Sequence, residues 1–362
     1  MGNIKSTLLI IFFDSNPAIR RAVANAISEI FTKIGAQGWP ELIKFIEYNL
    51  DQNQEEVVEC SLECIAKLFE DLKMNSEHIN KQSFQNFNPF DGFVTKILNL
   101  CDPNVPLKIR DLALHCLNFF VQFLTNNFLA KYFQILILCS EDQHSSLREK
   151  SCEGFLEILE LRKELILQNL DQVLERILKF TMDDDRHVKK VACRFWSEYL
   201  LLEKGESMQR INYIKKYLQI LVPLLMECLP YVKEDSFGLQ NNQFGHGPGE
   251  GSSDEGEGSD TEGGANTGDW NLRKESARAL EFLARHFKED TFINAQEKIA
   301  SYLKNNDWII RESGIFCLGV LSKGSHDSIT QHFHHLFPFL MESLNQNEHP
   351  LIRSSAFWTL SK

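Results

Sequence analysis

A unit of about 40 residues recurs along this chain of 362 residues, and the repetition limits its possible folds more than any other feature. Each unit has an apolar anchor residue, with small or apolar residues four, seven and eight places later. The anchors are 38, 52, 38, 41, 84, 38 and 42 residues apart, and we interpret the two long spacings as insertions within one period. The anchors are Ile19, Val57, Ile109, Leu147, Val188, Leu272, Ile310 and Ile352. The next residue is basic in seven of the eight units, as Arg20, Arg110, Arg148, Lys189, Arg273, Arg311 and Arg353.

The spacing within each unit is that of an amphipathic helix, because offsets 0, +4, +7 and +8 fall on one side of a 3.6-residue period. Turn-prone residues three places before four anchors are predicted to cap these helices: Asn16, Asp185, Asp269 and Asp307. Further amphipathic helices are predicted upstream, over 128–140, 165–180, 211–232, 291–304 and 329–344. Helix pairs of this period are typical of HEAT or armadillo repeats. The sequence therefore predicts an all-α fold, a HEAT-repeat α-solenoid in which antiparallel helix pairs form a right-handed superhelix with a long concave surface.

Residues 234–269 depart from the repeat. They contain ten of the chain's 19 glycines and nine acidic residues, with no Lys or Arg. Such a composition cannot bury enough apolar surface to become ordered. We therefore predict HEAT repeats over 1–233 and 270–362, with a disordered acidic Gly-rich loop at 234–269 between the two helices of one repeat.

Composition excludes several classes of function. The net charge of −12 argues against nucleic acid as a partner, because a phosphate backbone requires a basic face. Nine cysteines without a CxxC pair favour buried free thiols in a reducing compartment. No apolar run approaches the roughly 18 residues of a membrane span, although Gly2 opens a sequence that also fits an N-myristoylation pattern. No nucleophile–base pairing indicates an enzyme.

No metal or other cofactor is predicted. His332, His334 and His335 form a cluster in sequence, but no Cys or carboxylate shares their helix face, as a zinc site would require. We interpret these histidines as helix surface residues.

The strongest resemblance to a known family lies in the last part of the chain. Residues 269–282, 307–315, 318–319 and 357–361 resemble the transportins, nuclear import receptors of the importin-β (karyopherin-β) family. Residues 15–20 and 38–42 fit an early repeat of the same family. The resemblance implies that the chain is a fragment covering roughly the third to the tenth HEAT repeat, and that the acidic loop corresponds to a longer one in transportins.

Two large apolar residues stand at successive helix positions that periodicity assigns to solvent. Offset +6 lies about 240° around the helix from the anchor, away from the packed side. Phe316 and Trp358 occupy this offset in the last two units, after Arg278 in the unit before. They indicate a contact patch, unless adjacent helices or the loop cover them.

The resemblance implies a role for the same positions. In transportins, the +6 residues of these three repeats and an acidic residue at +9 in the first form the pocket for the Pro-Tyr end of the cargo signal. By position, the cargo-signal-binding residues here are Arg278, Phe316, Trp358 and Glu281. Trp358 and Phe316 would stack on the Pro-Tyr pair, and Glu281 would accept a hydrogen bond from the tyrosine hydroxyl. Arg278 replaces a small residue of the family, and Ser355 an apolar one.

The implied function is that of a nuclear import receptor. Such a receptor binds basic, Pro-Tyr-type nuclear localisation signals of cargo proteins on its concave face and releases them under control of the GTPase Ran. The implied protein is a monomer that shuttles between cytoplasm and nucleus, with nucleoporins as further candidate partners. The loop would compete with basic cargo through its acidic residues, or act only as a solvated linker. These residues are Glu250, Asp254, Glu255, Glu257, Asp260 and Glu262.

Two other functions stay open. One is a non-catalytic HEAT-repeat scaffold subunit of a protein complex, which would not release its partners under Ran control. The other is a truncated product that binds little, because terminal repeats normally cover the ends of the core.

Overall fold

The computed structural model describes residues 2–74, 90–202, 213–231 and 267–362, with side chains from Ile4 in the first range and from Leu272 in the last. In these ranges the regular structure is helical throughout, as predicted. The helices of the first half are α1 (Gly2–Ile10), α2 (Pro17–Gly38), α3 (Pro40–Leu50), α4 (Glu55–Met74), α5 (Asp91–Asn99), α6 (Leu107–Phe120), α7 (Asn126–Cys139) and α8 (Ser145–Leu161). They continue with α9 (Lys163–Gln168), α10 (Leu170–Thr181), α11 (Arg186–Leu202), α12 (Leu218–Glu227), α13 (Thr267–Phe287), α14 (Glu289–Leu303), α15 (Trp308–Ser322), α16 (His326–Glu342) and α17 (Pro350–Leu360).

All eight predicted anchors lie near the start of a helix. Seven are the third residue of their helix, in α2, α4, α6, α8, α11, α15 and α17. The exception is Leu272, because α13 already begins at Thr267. The sequence period therefore located the start of seven anchor helices and missed the early start of the eighth.

Three of the four predicted caps are present. The side-chain oxygen of Asn16 accepts the N–H of Ala18 at 2.9 Å, and that of Asp307 accepts the N–H of Ile309 at 3.0 Å. Asp185 accepts the N–H of His187 at 2.8 Å. The prediction for Asp269 was wrong, since this residue lies inside α13 rather than before it.

The chain forms two compact units, Met1–Arg176 and Ile177–Lys362. In the first unit, the anchor helices form one row, in which α2 packs against α4, α4 against α6 and α6 against α8. The intervening helices form a second row, in which α3 packs against α5 and α5 against α7. Contacts of α3 with α4, α5 with α6 and α7 with α8 join the rows repeat by repeat.

The second unit has the same arrangement. One row contains α11, α13, α15 and α17, each packed against the next, and the other contains α12, α14 and α16. The pairs α12–α13, α14–α15 and α16–α17 join the two rows. The unit thus presents three consecutive anchor helices, α13, α15 and α17, on which the predicted site residues lie.

Small residues in the anchor helices allow close packing. A Cβ added to Gly154 would lie 2.4 Å from the hydroxyl oxygen of Tyr132, and one added to Gly314 would lie 2.9 Å from the Cβ of Tyr302. Both distances are shorter than a van der Waals contact. Any larger residue at these positions would force the two rows apart.

The predicted acidic loop lies outside the described residues, including Glu250, Asp254, Glu255, Glu257, Asp260 and Glu262. Only its last three positions, 267–269, are described, and they belong to α13. The predicted boundary between loop and helix was therefore three residues too late.

All nine cysteines are free thiols, and all except Cys60 are buried. Burial raises the pKa of the Cys64 thiol to about 12, so this side chain stays protonated and packs as a small apolar group. Across the described ranges, no helix is both long and apolar enough to cross a membrane.

Candidate functional site

The rings of Phe316 and Trp358 are stacked between neighbouring anchor helices, α15 and α17. Their centroids are 5.2 Å apart and their planes are inclined by 30°. Gly319 makes room for this pair, since a Cβ at that position would lie 2.3 Å from Cζ3 of Trp358. The glycine thus allows the indole to lie directly against α15.

The two rings differ in accessibility. Trp358 is half-buried, whereas Phe316 is only 4% exposed. The expectation that Phe316 faces solvent was wrong, and the alternative that neighbouring helices cover it is correct. The physical reason is that α13 and α17 flank α15 on both sides. Their long side chains reach over a position that periodicity within one helix assigns to solvent.

The side chain that α13 contributes to this cover is Arg273. The guanidinium carbon of Arg273 lies 4.1 Å from the ring centroid of Phe316 and 4.0 Å from that of Tyr231. The guanidinium therefore contacts two aromatic rings, and cation–π attraction stabilises it there. Tyr231 lies just beyond the C-terminal end of α12.

Arg273 also makes two polar contacts. Its Nη1 donates to the carbonyl oxygen of Leu229, and its Nη2 donates to Oε1 of Glu312 at 2.8 Å. The Ser355 hydroxyl donates to the same oxygen of Glu312 at 2.5 Å. Arg273 is 3% exposed and Glu312 0%, so this is a buried ion pair with additional hydrogen bonds. The buried carboxylate of Glu312 explains why a polar residue occupies position 355, because the Ser355 hydroxyl donates a hydrogen bond to it.

Burial raises the pKa of Tyr231 to about 12, although the Arg273 guanidinium acts in the opposite direction. The phenol is therefore neutral at physiological pH. A neutral ring covers one face of the guanidinium, while Glu312 supplies the charge that balances it.

Glu281 and Arg278 lie one turn apart on α13, and each has another partner. Oε1 of Glu281 accepts a hydrogen bond from Nη2 of Arg285 at 2.5 Å. Nη1 of Arg278 lies 2.9 Å from Oε1 of Glu198 on α11, and its guanidinium lies 5.7 Å from the ring of Phe282. The structure thus brings Phe316 and Trp358 into contact, and it shows Arg278 and Glu281 in separate, partly exposed ion pairs.

Arg278 also belongs to a charged cluster between α11 and α13. Burial raises the pKa of Glu275, and the charges of Arg278 and Arg194 oppose that shift. An arginine at this position therefore compensates acidic groups of the same cluster, which a small residue could not do.

Sequence reasoning missed Arg273, Tyr231 and Glu312. Arg273 was one of seven basic residues after an anchor, and no pattern separated it from the rest. Three of the others brace the turn before their own helix. Arg20, Arg148 and Arg311 each donate through Nη1 to two carbonyl oxygens that lie five and six residues earlier.

A second feature of this unit is an apolar cavity of about 350 Å³ among α14, α15 and α16. Its lining includes Phe292, Ile299, Leu303, Leu318 and Leu336. It could accept an apolar side chain of a partner. In the part of the chain that the structure describes, no three His, Cys, Asp or Glu side chains converge as metal ligands.

Comparison with curated proteins confirms the predicted resemblance. The chain is homologous to the transportins along almost its whole length. It is 26% identical over 398 residues to importin subunit beta-2 of Schizosaccharomyces pombe and 28% identical over 386 residues to transportin-1 of Mus musculus. Both alignments cover 99% of this chain and 42% of the relative, so the chain spans less than half the length of these relatives.

Solved structures confirm the fold. Yeast importin-beta (Kap95p) superposes with a TM-score of 0.75 at 17% identity, covering 99% of this chain and 40% of that one. The Kap95:Nup1 complex gives a TM-score of 0.69 with the same identity and coverage. The predicted HEAT-repeat α-solenoid is therefore correct.

A shorter match points to another kind of protein. Residues 110–196, which run from α6 to α11, match the family described as the Vacuolar 14 Fab1-binding region.

Proposed function

We propose that this homologue of the transportins is a nuclear import receptor that holds cargo proteins by their nuclear localisation signals. Collinear homology to transportins over 99% of the chain carries this proposal. The anchor helices α13, α15 and α17 supply the signal-binding surface. In this proposal the protein shuttles between cytoplasm and nucleus and has no catalytic activity of its own.

The proposed signal is basic and ends in Pro-Tyr. Trp358 supplies the aromatic surface on which this pair stacks, because its indole is half-buried and rests on Phe316. The Nζ of Lys362 lies 5.4 Å from the ring centroid of Trp358, and the peptide displaces it. Phe316 itself supports the indole instead of touching cargo. Glu281 accepts the tyrosine hydroxyl by exchanging its partner Arg285, and Arg278 borders the site.

Three kinds of partner follow from the proposal. Among the structural neighbours, Kap95p has been solved with RanGDP and with Nup1, and Kap121p with Pho4p. By analogy, we propose Ran, nucleoporins and cargo proteins as partners of this chain, which acts as a monomer. The apolar cavity among α14, α15 and α16 is the candidate nucleoporin site. The acidic residues of 250–262 would compete with basic cargo and aid its release.

The match of residues 110–196 favours a second candidate function, that of a non-catalytic scaffold in a protein complex. A scaffold would hold its partner whether or not Ran is present. Dissociation of a bound signal peptide by GTP-loaded Ran would therefore separate the two functions.

The first test is fluorescence anisotropy with a labelled basic peptide that ends in Pro-Tyr. We expect micromolar or tighter binding, weakened about thirtyfold by Trp358→Ala, since loss of a central aromatic anchor costs about 2 kcal/mol. Phe357→Ala is the matched control, because Phe357 is 63% exposed and its truncation removes a similar apolar area. Absence of binding by folded wild-type protein would contradict the proposed site.

A further inference from the structure

We propose that Arg273 is a positioning residue, whose planar guanidinium holds Phe316, and through it Trp358, in the orientation that binds ligand. The inference rests on the proposed function for its ligand, but the geometry on which it depends lies wholly within the described residues of the second unit. Arg273 itself is too buried to touch cargo.

Phe316 is contacted by side chains from two neighbouring helices. The ring centroid of Phe316 lies 4.1 Å from the guanidinium carbon of Arg273 on α13 and 5.2 Å from the ring centroid of Trp358 on α17. Phe316 is therefore in contact with both groups. Any tilt of Phe316 would displace either the guanidinium or the indole.

The position of the guanidinium is in turn fixed from several directions. Tyr231 stacks on it at 4.0 Å, the carbonyl of Leu229 accepts from Nη1, and Glu312 accepts from Nη2. Ser355, three residues before Trp358 on α17, binds the same Glu312 oxygen. Arg273 thus joins the end of α12 to α13 and α15, and Glu312 extends the network to Ser355 on α17. The ring contacts run in series from Tyr231 through Arg273 and Phe316 to Trp358.

A lysine could keep the ion pair with Glu312 but could not form the stack. Its ammonium is a compact, strongly hydrated charge, whereas guanidinium is planar and can lie between two rings while donating in its own plane. The proposed role therefore depends on the shape of the arginine and not only on its charge.

The test compares Arg273→Lys with Arg311→Lys, the same substitution at the same position of the next repeat. The protein is labelled with 5-fluorotryptophan, and the Trp358 resonance among the five tryptophans is assigned by its loss in Trp358→Phe. We expect Arg273→Lys to shift or broaden this ¹⁹F resonance and to weaken binding of the Pro-Tyr peptide about tenfold. Arg311→Lys should change neither, even if it lowers the unfolding temperature.

A second variant covers the case in which Arg273→Lys does not fold. Replacing the buried pair by neutral groups of similar size, Arg273→Met with Glu312→Gln, removes the guanidinium without leaving a buried charge. It should give the same change in the resonance and in peptide affinity.

The two readouts separate the possible failures. An unchanged Trp358 resonance in the Arg273 variants, or an equal change in Arg311→Lys, would overturn the positioning role. A shifted resonance in a protein that binds no peptide would support the positioning role and reject the proposed function.

Discussion

Arg273 and Arg311 follow the anchors of two successive repeats, yet they stabilise different parts of the molecule. Arg311 closes the turn before its own helix, where Nη1 donates to the carbonyls of Asn305 and Asn306 at 2.9 Å and Nη2 lies 3.3 Å from Glu348. Arg273 reaches instead to Leu229, Glu312 and two aromatic rings. We call these two sets of contacts the Arg311 junction and the Arg273 junction.

The two helices begin at different distances before these arginines. Carbonyls five and six residues before Arg311 lie in a turn, whereas those five and six residues before Arg273 belong to α13, which begins at Thr267. Carbonyls inside a helix already accept its own N–H groups. Arg273 is therefore free to contact other helices. Arg273 thus links its own repeat to the next one instead of bracing a turn.

Replacing Arg273 by alanine should lower the free energy of unfolding more than replacing Arg311 does. Arg273→Ala leaves the fully buried Glu312 without its partner, and breaking a buried pair costs about 3–5 kcal/mol. Arg311→Ala should cost about 1 kcal/mol, because its ion pair is partly exposed and its loss affects one turn. Urea unfolding of the two variants measures the difference. Equal losses of stability would show that the two arginines have the same structural role.

Alkaline pH should weaken the Arg273 junction selectively. The pKa of Tyr231 is raised from 10 to about 12 in the folded protein, so its contribution is complete below pH 10 and is lost as pH rises through 12. A shift of two units corresponds to at most about 2.7 kcal/mol. Tyr231→Phe keeps the stacked ring and removes the phenol, and its stability should fall less between pH 10 and 12. Identical pH profiles would show that Tyr231 ionises freely.

Two glycines of α15 contact different parts of the neighbouring helices. Gly319→Ala pushes a methyl group into Trp358 and should destabilise the protein by about 2 kcal/mol, as other overpacking changes do. Gly314→Ala presses on Tyr302 and Leu303 instead. Thermal unfolding should detect both changes, but only Gly319→Ala should weaken binding of the Pro-Tyr peptide. If Gly314→Ala weakened it as much, the position of the indole would not control the affinity.

Ser355→Ala should change stability and peptide affinity least. It removes one hydrogen bond to Glu312 and leaves Arg273 in place, which should cost about 1 kcal/mol. Peptide affinity should stay within about threefold of wild type, because the stack itself is intact. Calorimetric unfolding with parallel anisotropy checks both statements, and a tenfold loss of affinity would give Ser355 a larger role than its hydrogen bond explains.

The sequence predicted the fold from features that repeat. Anchor residues such as Ile310 and capping residues such as Asp307 lie where the period and local helix chemistry require. The same local rules failed at Phe316, because its exposure depends on side chains from α13 and α17. They also failed at Arg273, whose partners Leu229 and Glu312 are 44 and 39 residues away. Features that depend on a single helix could be predicted from the sequence, whereas features that depend on contacts between repeats could not.

The site was predictable to the same extent. The resemblance selected Trp358 and Phe316, and the structure brings these two rings together. The resemblance could not reveal that Phe316 supports Trp358, since that depends on the guanidinium of Arg273 beside Phe316. Nor could it show that Glu281 and Arg278 are already engaged by Arg285 and Glu198.

The proposed site requires the half-buried indole of Trp358 to bind the terminal tyrosine of a cargo signal. A double-mutant cycle tests it most directly, with wild type and Trp358→Ala measured against the Pro-Tyr peptide and a peptide whose tyrosine is replaced by alanine. Direct contact predicts a coupling energy of about 1–2 kcal/mol between the two changes. Losses that add within about 0.5 kcal/mol would contradict the claim, because residues that do not touch show additive effects.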